Sequence, residues 1–136
     1  MTKKQLNELT YTIIGAAIEV HKALGQGLLE SVYHKCLKHE LELRGLKFSS
    51  ELIVPLRYKD INIDTELRCD LLVENCIVLE LKSVIEILPI HEAQTLTYMK
   101  LLSVPKGILF NFNCVNLFKE GQQTFVNEQF RNLPDQ

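Results

Sequence analysis

The 136-residue chain has no Cys-x-x-Cys pair, no long apolar run, no surplus of basic residues and no low-complexity stretch. Each absence removes a class of protein. Its four cysteines, Cys36, Cys69, Cys76 and Cys114, are too scattered for a zinc knuckle or a redox motif. Three sit among apolar neighbours and read as small buried hydrophobes, and without an export signal a disulfide framework is not expected. The apolar segment nearest the amino terminus, Ile13 to Ile18, is far too short to span a bilayer. Polar Gln5, Asn7 and Glu8 interrupt anything resembling a signal peptide. The expectation is a cytoplasmic protein with no membrane partner. A net charge of −2 and a pI near 6.1 argue against gripping nucleic acid through the whole molecular field. Any such activity must rest on a local site. No Ser-His-Asp pattern or dinucleotide fingerprint is present, and Gly25-x-Gly27 lies between helical stretches rather than after a strand, so it reads as a turn.

What is present is the balance of a globular domain, 46% apolar and 24% charged. Without a linker or repeat, residues 1–136 read as one soluble α/β domain. Apolar residues at Leu6, Leu9, Ile13, Ala17, Val20 and Leu24 recur every three or four positions and predict a helix over 4–24. Gly25-Gln26-Gly27 ends it. A second helix is expected from about Leu28, with Leu29, Val32, Tyr33, Cys36, Leu37 and Leu41 on one face and Gly45 as its stop. The period then becomes strand-like. Glu51 to Tyr58 reads as one strand, with Pro55 marking an edge or bulge. Ile61–Ile63, Leu67–Val73 and Cys76–Lys82 follow as three more. Pro89 opens a third helix to about Leu102, packing through Ile90, Ala93, Leu96, Thr97 and Leu101. Gly107 to Phe112 is an apolar strand of a sheet interior. The order is ααββββαβ, with room for an extra strand and a short helix between Asn116 and Phe130.

Side chains alternate along a strand, so Glu80 and Lys82 share a face while Leu79 and Leu81 point into the core. A carboxylate and a lysine on a buried strand are costly unless compensated, and a divalent cation would compensate them. Asp70, on the preceding strand, supplies a second hard oxygen donor of the kind Mg²⁺ favours. One condition attaches. A two-residue turn at Glu74-Asn75 would set Cys69 opposite Glu80, whereas a three-residue loop, Glu74-Asn75-Cys76, sets Asp70 opposite Glu80. Asn75 tolerates the positive φ such a loop needs.

Asp70 followed by Glu80-Leu81-Lys82 resembles the PD-(D/E)XK nuclease superfamily. Gly27-Leu28-Leu29-Glu30-Ser31-Val32-Tyr33 is similar to the namesake motif of the small bacterial GxxExxY proteins within it. The likeness continues through Arg68-Cys69-Asp70, Leu79 to Ser83 and His91-Glu92-Ala93-Gln94, and spans Leu9 to Phe112. It implies a restriction-endonuclease-like core that cleaves nucleic acid, DNA ahead of RNA, and leaves a 5′-phosphate. The implied ligands for Mg²⁺, or Mn²⁺ in its stead, are Asp70, Glu80, the main-chain carbonyl of Leu81 and Glu30. Lys82 would orient or help deprotonate the attacking water, and the metal would act as Lewis acid. Gln94 and Tyr98, four apart on a helix, resemble the Gln-x-x-x-Tyr element that lies beside the site in RecB-like relatives. The proline that precedes the first aspartate in the superfamily is absent; Cys69 stands there.

Plainer readings stand beside these. Asp70, Glu80 and Lys82 also read as an ion-pair cluster on a sheet. Glu30 also complements a helix dipole. Tyr33 reads first as a packing residue with a bonded hydroxyl, and Gln94 and Tyr98 as caps on the core. His91 borders the expected cleft, as does His21, though each lacks a paired ligand. A nuclease-like fold with weak or absent catalysis, serving as a nucleic-acid-binding or protein-interaction subunit, is the alternative function. A homodimer would suit so small a chain with little basic surface.

Overall fold

The computed structural model describes residues 1–136. Helix α1 spans Lys3–Leu24 and begins with Thr2, whose side chain accepts the Gln5 N–H while Gln5 reaches back to the Thr2 N–H. Gly25 and Gly27, at φ +72° and +96°, turn the chain into α2, Glu30–Leu43. Strands β1 (Phe48–Ile53), β2 (Leu56–Tyr58), β3 (Ile61–Ile63), β4 (Arg68–Val73) and β5 (Ile77–Lys82) follow. Helix α3 (Pro89–Leu102) crosses to β6 (Lys106–Asn111), and a π turn (Leu117–Gly121) leads to β7 (Gln122–Val126) and α4 (Glu128–Arg131). The main sheet has the order β1-β4-β5-β6-β7, parallel only between β5 and β6. β2 and β3 form a separate hairpin. No helix is long and apolar enough to cross a membrane.

This is a mixed α/β fold consistent with a restriction-endonuclease-like core. Alternation along the central strands makes it a three-layer molecule. Ile77, Leu79 and Leu81 of β5 pack with Leu6, Ile13, Tyr33 and Leu37 of α1 and α2 on one face. Val78 faces the other way, onto Tyr98 and Met99 of α3. All four cysteines are free, two of them buried.

Three expectations need correction. The strand read as Glu51 to Tyr58 starts earlier, at Phe48, and divides at Pro55, so five strands precede α3 rather than four. Proline has no N–H for a ladder; Val54 makes the last bond, to the Leu67 carbonyl, and the chain leaves the sheet. α2 begins at Glu30, and Leu29 is exposed ahead of it. On α3 the buried residues are Thr95, Tyr98 and Met99, while Ile90 and Leu96 are exposed. The helix lies over Gly107, where an added Cβ would stand 2.7 Å from Met99 Sδ and 3.1 Å from Thr95 Cγ2, and this close approach selects its face.

Candidate active site

β4 and β5 bring Asp70 and Glu80 side by side. Val73 pairs with Ile77 and Leu71 with Leu79, so the connection is the three-residue loop Glu74-Asn75-Cys76 and the next position along the strands sets Asp70 against Glu80. Glu74 and Asn75 both adopt positive φ, +50° and +56°. Beyond Leu71 the carboxylates replace the backbone ladder. The Asp70 N–H donates to Glu80 Oε2 at 2.9 Å, and the Leu81 N–H donates to Asp70 Oδ2 at 2.7 Å. On the other flank, Glu51 of β1 stands at φ +51° between the pairs Ser50–Leu71 and Leu52–Cys69. β4 is itself irregular here: Cys69 and Leu72 both join the α3-side cluster, which strict alternation would forbid.

The second oxygen of each acid, Asp70 Oδ1 and Glu80 Oε1, takes no protein hydrogen bond. No buried side-chain oxygen or nitrogen lacks a partner, so both oxygens reach solvent. Glu80 is only 3% exposed. Burial, then the Asp70 charge, pushes its carboxyl up to about 8 against the pull of the Asp70 N–H and Lys82. Burial also raises Asp70, opposed by the Leu81 N–H, His34 and Lys82 and reinforced by Glu51. Lys82 is half-buried and joins none of the chain's ion pairs, which are Lys3–Asp135, Arg44–Glu40 and Arg131–Glu128. The three residues are therefore not a salt-bridge cluster. The two acids stand side by side and neither is in a salt bridge.

The turn before α2 leads into Glu30, the first residue of that helix. Tyr33 stacks on Phe112 at 4.5 Å, and its hydroxyl donates to the Gly25 carbonyl at 2.6 Å and accepts the Leu28 N–H at 3.3 Å. Ser83, next after Lys82, donates to the Leu28 carbonyl at 2.7 Å. Tyr33 thus clamps the turn from within the core rather than facing a ligand. Glu30 lies within reach of the Asp70 and Lys82 charges; burial and Asp70 raise its carboxyl and Lys82 lowers it.

From α3, the Gln94 amide donates to the Tyr98 hydroxyl at 3.0 Å. Burial raises the Tyr98 phenol, with the charges of Glu80, Cys69 and Asp70 adding to it, and its ring packs in the same cluster as Cys69, the residue before Asp70. His91 has another task. Its Nδ1 accepts the Leu88 N–H at 3.0 Å and caps the start of α3. His21 bonds the Cys114 carbonyl at 2.9 Å inside the core.

Two contributors escaped the sequence reading. His34 lies one turn beyond Glu30 on α2, holds Ser50 Oγ at 3.2 Å and adds its charge near Asp70; the i,i+4 spacing from Glu30 was the available signal. Asn111 pairs in register with Lys82, accepts the Val84 N–H at 3.1 Å and donates to the Val84 carbonyl at 3.0 Å. It fixes the chain leaving Lys82, and nothing in the sequence marks it.

Asp70 and Glu80 each leave one hard oxygen without a protein hydrogen bond or salt bridge, the donor chemistry of a Mg²⁺-like ion. No group of three or more His, Cys, Asp or Glu side chains is gathered to hold a metal.

A family model describing the PD-(D/E)XK nuclease superfamily matches residues 7–125, from α1 into β7. The chain belongs to that superfamily. No curated protein and no solved structure matches it.

Proposed function

We propose that this chain is a cytoplasmic Mg²⁺-dependent nuclease of the GxxExxY type that hydrolyses phosphodiester bonds, in DNA ahead of RNA, by attack of water. The reading is carried by the Asp70–Glu80 pair, whose second oxygens take no protein hydrogen bond and are open to solvent. Superfamily membership adds the reaction class.

Asp70, Glu80 and the Leu81 carbonyl would hold Mg²⁺, with Mn²⁺ as its substitute and Glu30 reaching in from α2. Bound there, such an ion would supply Lewis-acid chemistry and lower the pKa of an attacking water. Lys82, on the same face as Glu80, orients the water and offsets charge developing on the phosphate. Asn111 and Ser83 hold the segment that follows Lys82, so its direction is set before substrate arrives. Gln94 and Tyr98 flank the acids as substrate-facing or supporting polar groups. Water attack at phosphorus with departure of the 3′ oxygen leaves a 5′-phosphate. A homodimer that lines one groove from two copies belongs to this reading and is checked by sedimentation equilibrium.

A second reading, a nuclease-like module without turnover that binds nucleic acid or protein, is favoured by the lack of a three-ligand group and the net charge of −2. One experiment separates the two. Purified chain is incubated with single- and double-stranded DNA in Mg²⁺ or Mn²⁺ beside Lys82→Ala and Glu80→Ala. Cleavage lost in both variants supports hydrolysis. Cleavage that survives them indicts a contaminant, and silence on every substrate with no calorimetric metal binding supports the second reading.

A further inference from the structure

The sheet face that carries Glu80 continues sideways into a groove. In register, Glu80 of β5 lies beside Leu109 of β6, and Leu109 beside Gln123 of β7, so the three share one face in a row across the sheet. At about 4.8 Å per strand, Gln123 stands about 10 Å from Glu80. Lys82 and Asn111 form the parallel row next to it. α3 covers this face only at the other end of the strands, over Val78 and Gly107. Where the helix ends its cover, a groove of about 640 Å³ opens, with Leu109 and Asn111 in its floor and Ile85, Val115, Gln26 and Gln123 in its walls.

The lining is selective. It contains two carboxylates, Glu86 and Glu120, and no Lys or Arg, so it does not suit a phosphate. Ile85 and Val115 are 95% and 79% exposed, apolar side chains that stand at the rim of the groove rather than in the core. The segment bearing Ile85 is fixed, because Asn111 and Asn113 both hold Val84. The Gln26 and Gln123 amides make no protein hydrogen bond, and a free amide offers both a donor and an acceptor. Aliphatic side chains at the rim, unengaged amides and two carboxylates able to accept from an exocyclic amine match a nucleobase: an apolar face to pack on and an edge of donors and acceptors.

We propose that this groove receives an unpaired base of the substrate strand next to the scissile phosphate. The assignment rests on the nuclease reading for its neighbour, but the groove binds the base, not the reacting group. Its occupancy requires a base turned out of a duplex, so the favoured substrate has single-stranded character at the cleavage point.

The test compares a short single-stranded oligodeoxynucleotide with versions lacking one base, the missing base moved stepwise along the strand. Affinity is read by fluorescence anisotropy without added metal, and cleavage separately in Mg²⁺. At one position, loss of the base is expected to weaken binding about tenfold. Gln123→Ala and Ile85→Ser, both at exposed positions that leave melting unchanged, are expected to bring the intact strand down to that level. Base loss that has no effect at any position overturns the assignment, as does discrimination that survives both substitutions. Base-dependent binding without cleavage keeps the groove and removes the hydrolysis; cleavage with base-indifferent binding does the reverse.

Discussion

Asp70 and Glu80 interlock: the Glu80 carboxylate accepts the Asp70 N–H at 2.9 Å, and the Asp70 carboxylate accepts the N–H of Leu81 at 2.7 Å. Each acid fills a gap in the ladder between β4 and β5, so its charge and its hydrogen bond are separate contributions. Glu80→Gln keeps an accepting oxygen and removes the charge. At pH 8 without metal it is expected to raise the melting temperature, because a buried carboxylate beside Asp70 is replaced by a neutral group. It is also expected to abolish the rise that millimolar Mg²⁺ gives the parent chain. Glu80→Ala should instead lower the melting temperature, since it leaves the Asp70 N–H unpaired at a cost of about 1–3 kcal/mol. Calorimetric scans with and without Mg²⁺ read all three; a Gln variant still stabilised by Mg²⁺ would remove Glu80 from the metal.

The same pair dictates a pH dependence. The Glu80 carboxyl is raised to about 8 in the folded chain against 4.5 for an unperturbed glutamate. Between those values the folded state holds a proton that the unfolded state has released, so stability falls as pH rises. The contribution is complete below the unfolded value and gone above the folded one. A tenfold difference in proton affinity between the two states is worth about 1.4 kcal/mol, and burial raises the Asp70 carboxyl in the same direction. Metal-free chain should therefore lose denaturant resistance from pH 5 to about 8. Saturating Mg²⁺ should flatten or reverse the slope, because the ion binds the deprotonated acids. Urea midpoints across that range check the sign.

The register of these acids was a local question with two answers, because Asn75 tolerates the positive φ of a two-residue turn as well as of a three-residue loop; the structure takes the loop. The course of α1, the strands β4 and β5, and Gly27 with Glu30 and Tyr33 were equally local. Contacts distant in sequence were not. The buried side of α3 is chosen by the bare Gly107 backbone beneath it, and its apolar residues lie all around the helix, so their spacing misleads. His34 and Ser50 meet across α2 and β1, and Asn111 acts on Val84 from another strand; a single sequence carries no mark of such meetings. His91, conspicuous beside Glu92, caps its own helix.

Tyr33→Phe isolates the clamp on the turn that leads into Glu30. The ring and its stack on Phe112 remain, while the bonds to Gly25 and Leu28 disappear. The loss should cost about 1–2 kcal/mol, a melting decrease of a few degrees. The turn then no longer fixes the first residue of α2, so the Mg²⁺ concentration for half-maximal cleavage should rise more than the rate at saturating Mg²⁺ falls. Equal effects on both would mean the hydroxyl serves stability alone.

Gly107→Ala tests whether α3 holds the site from a distance. The new methyl would stand 2.7 Å from Met99 Sδ and 3.1 Å from Thr95 Cγ2, closer than either side chain can tolerate without moving. Lifting the helix also lifts Tyr98, which packs in the same cluster as Cys69, the residue before Asp70. Overpacking of this kind costs about 1–3 kcal/mol. Met99 is flexible and absorbs part of it, so Met99→Ala in the same chain should recover stability relative to the sum of the two single changes, a coupling a double-mutant cycle resolves. Cleavage should follow the helix position rather than the melting temperature: the double variant, with α3 seated again, regains more activity than Met99→Ala alone would allow if the two sites were independent. Additive losses in both stability and rate would show that the helix reaches the acids by some route other than its contact with Gly107.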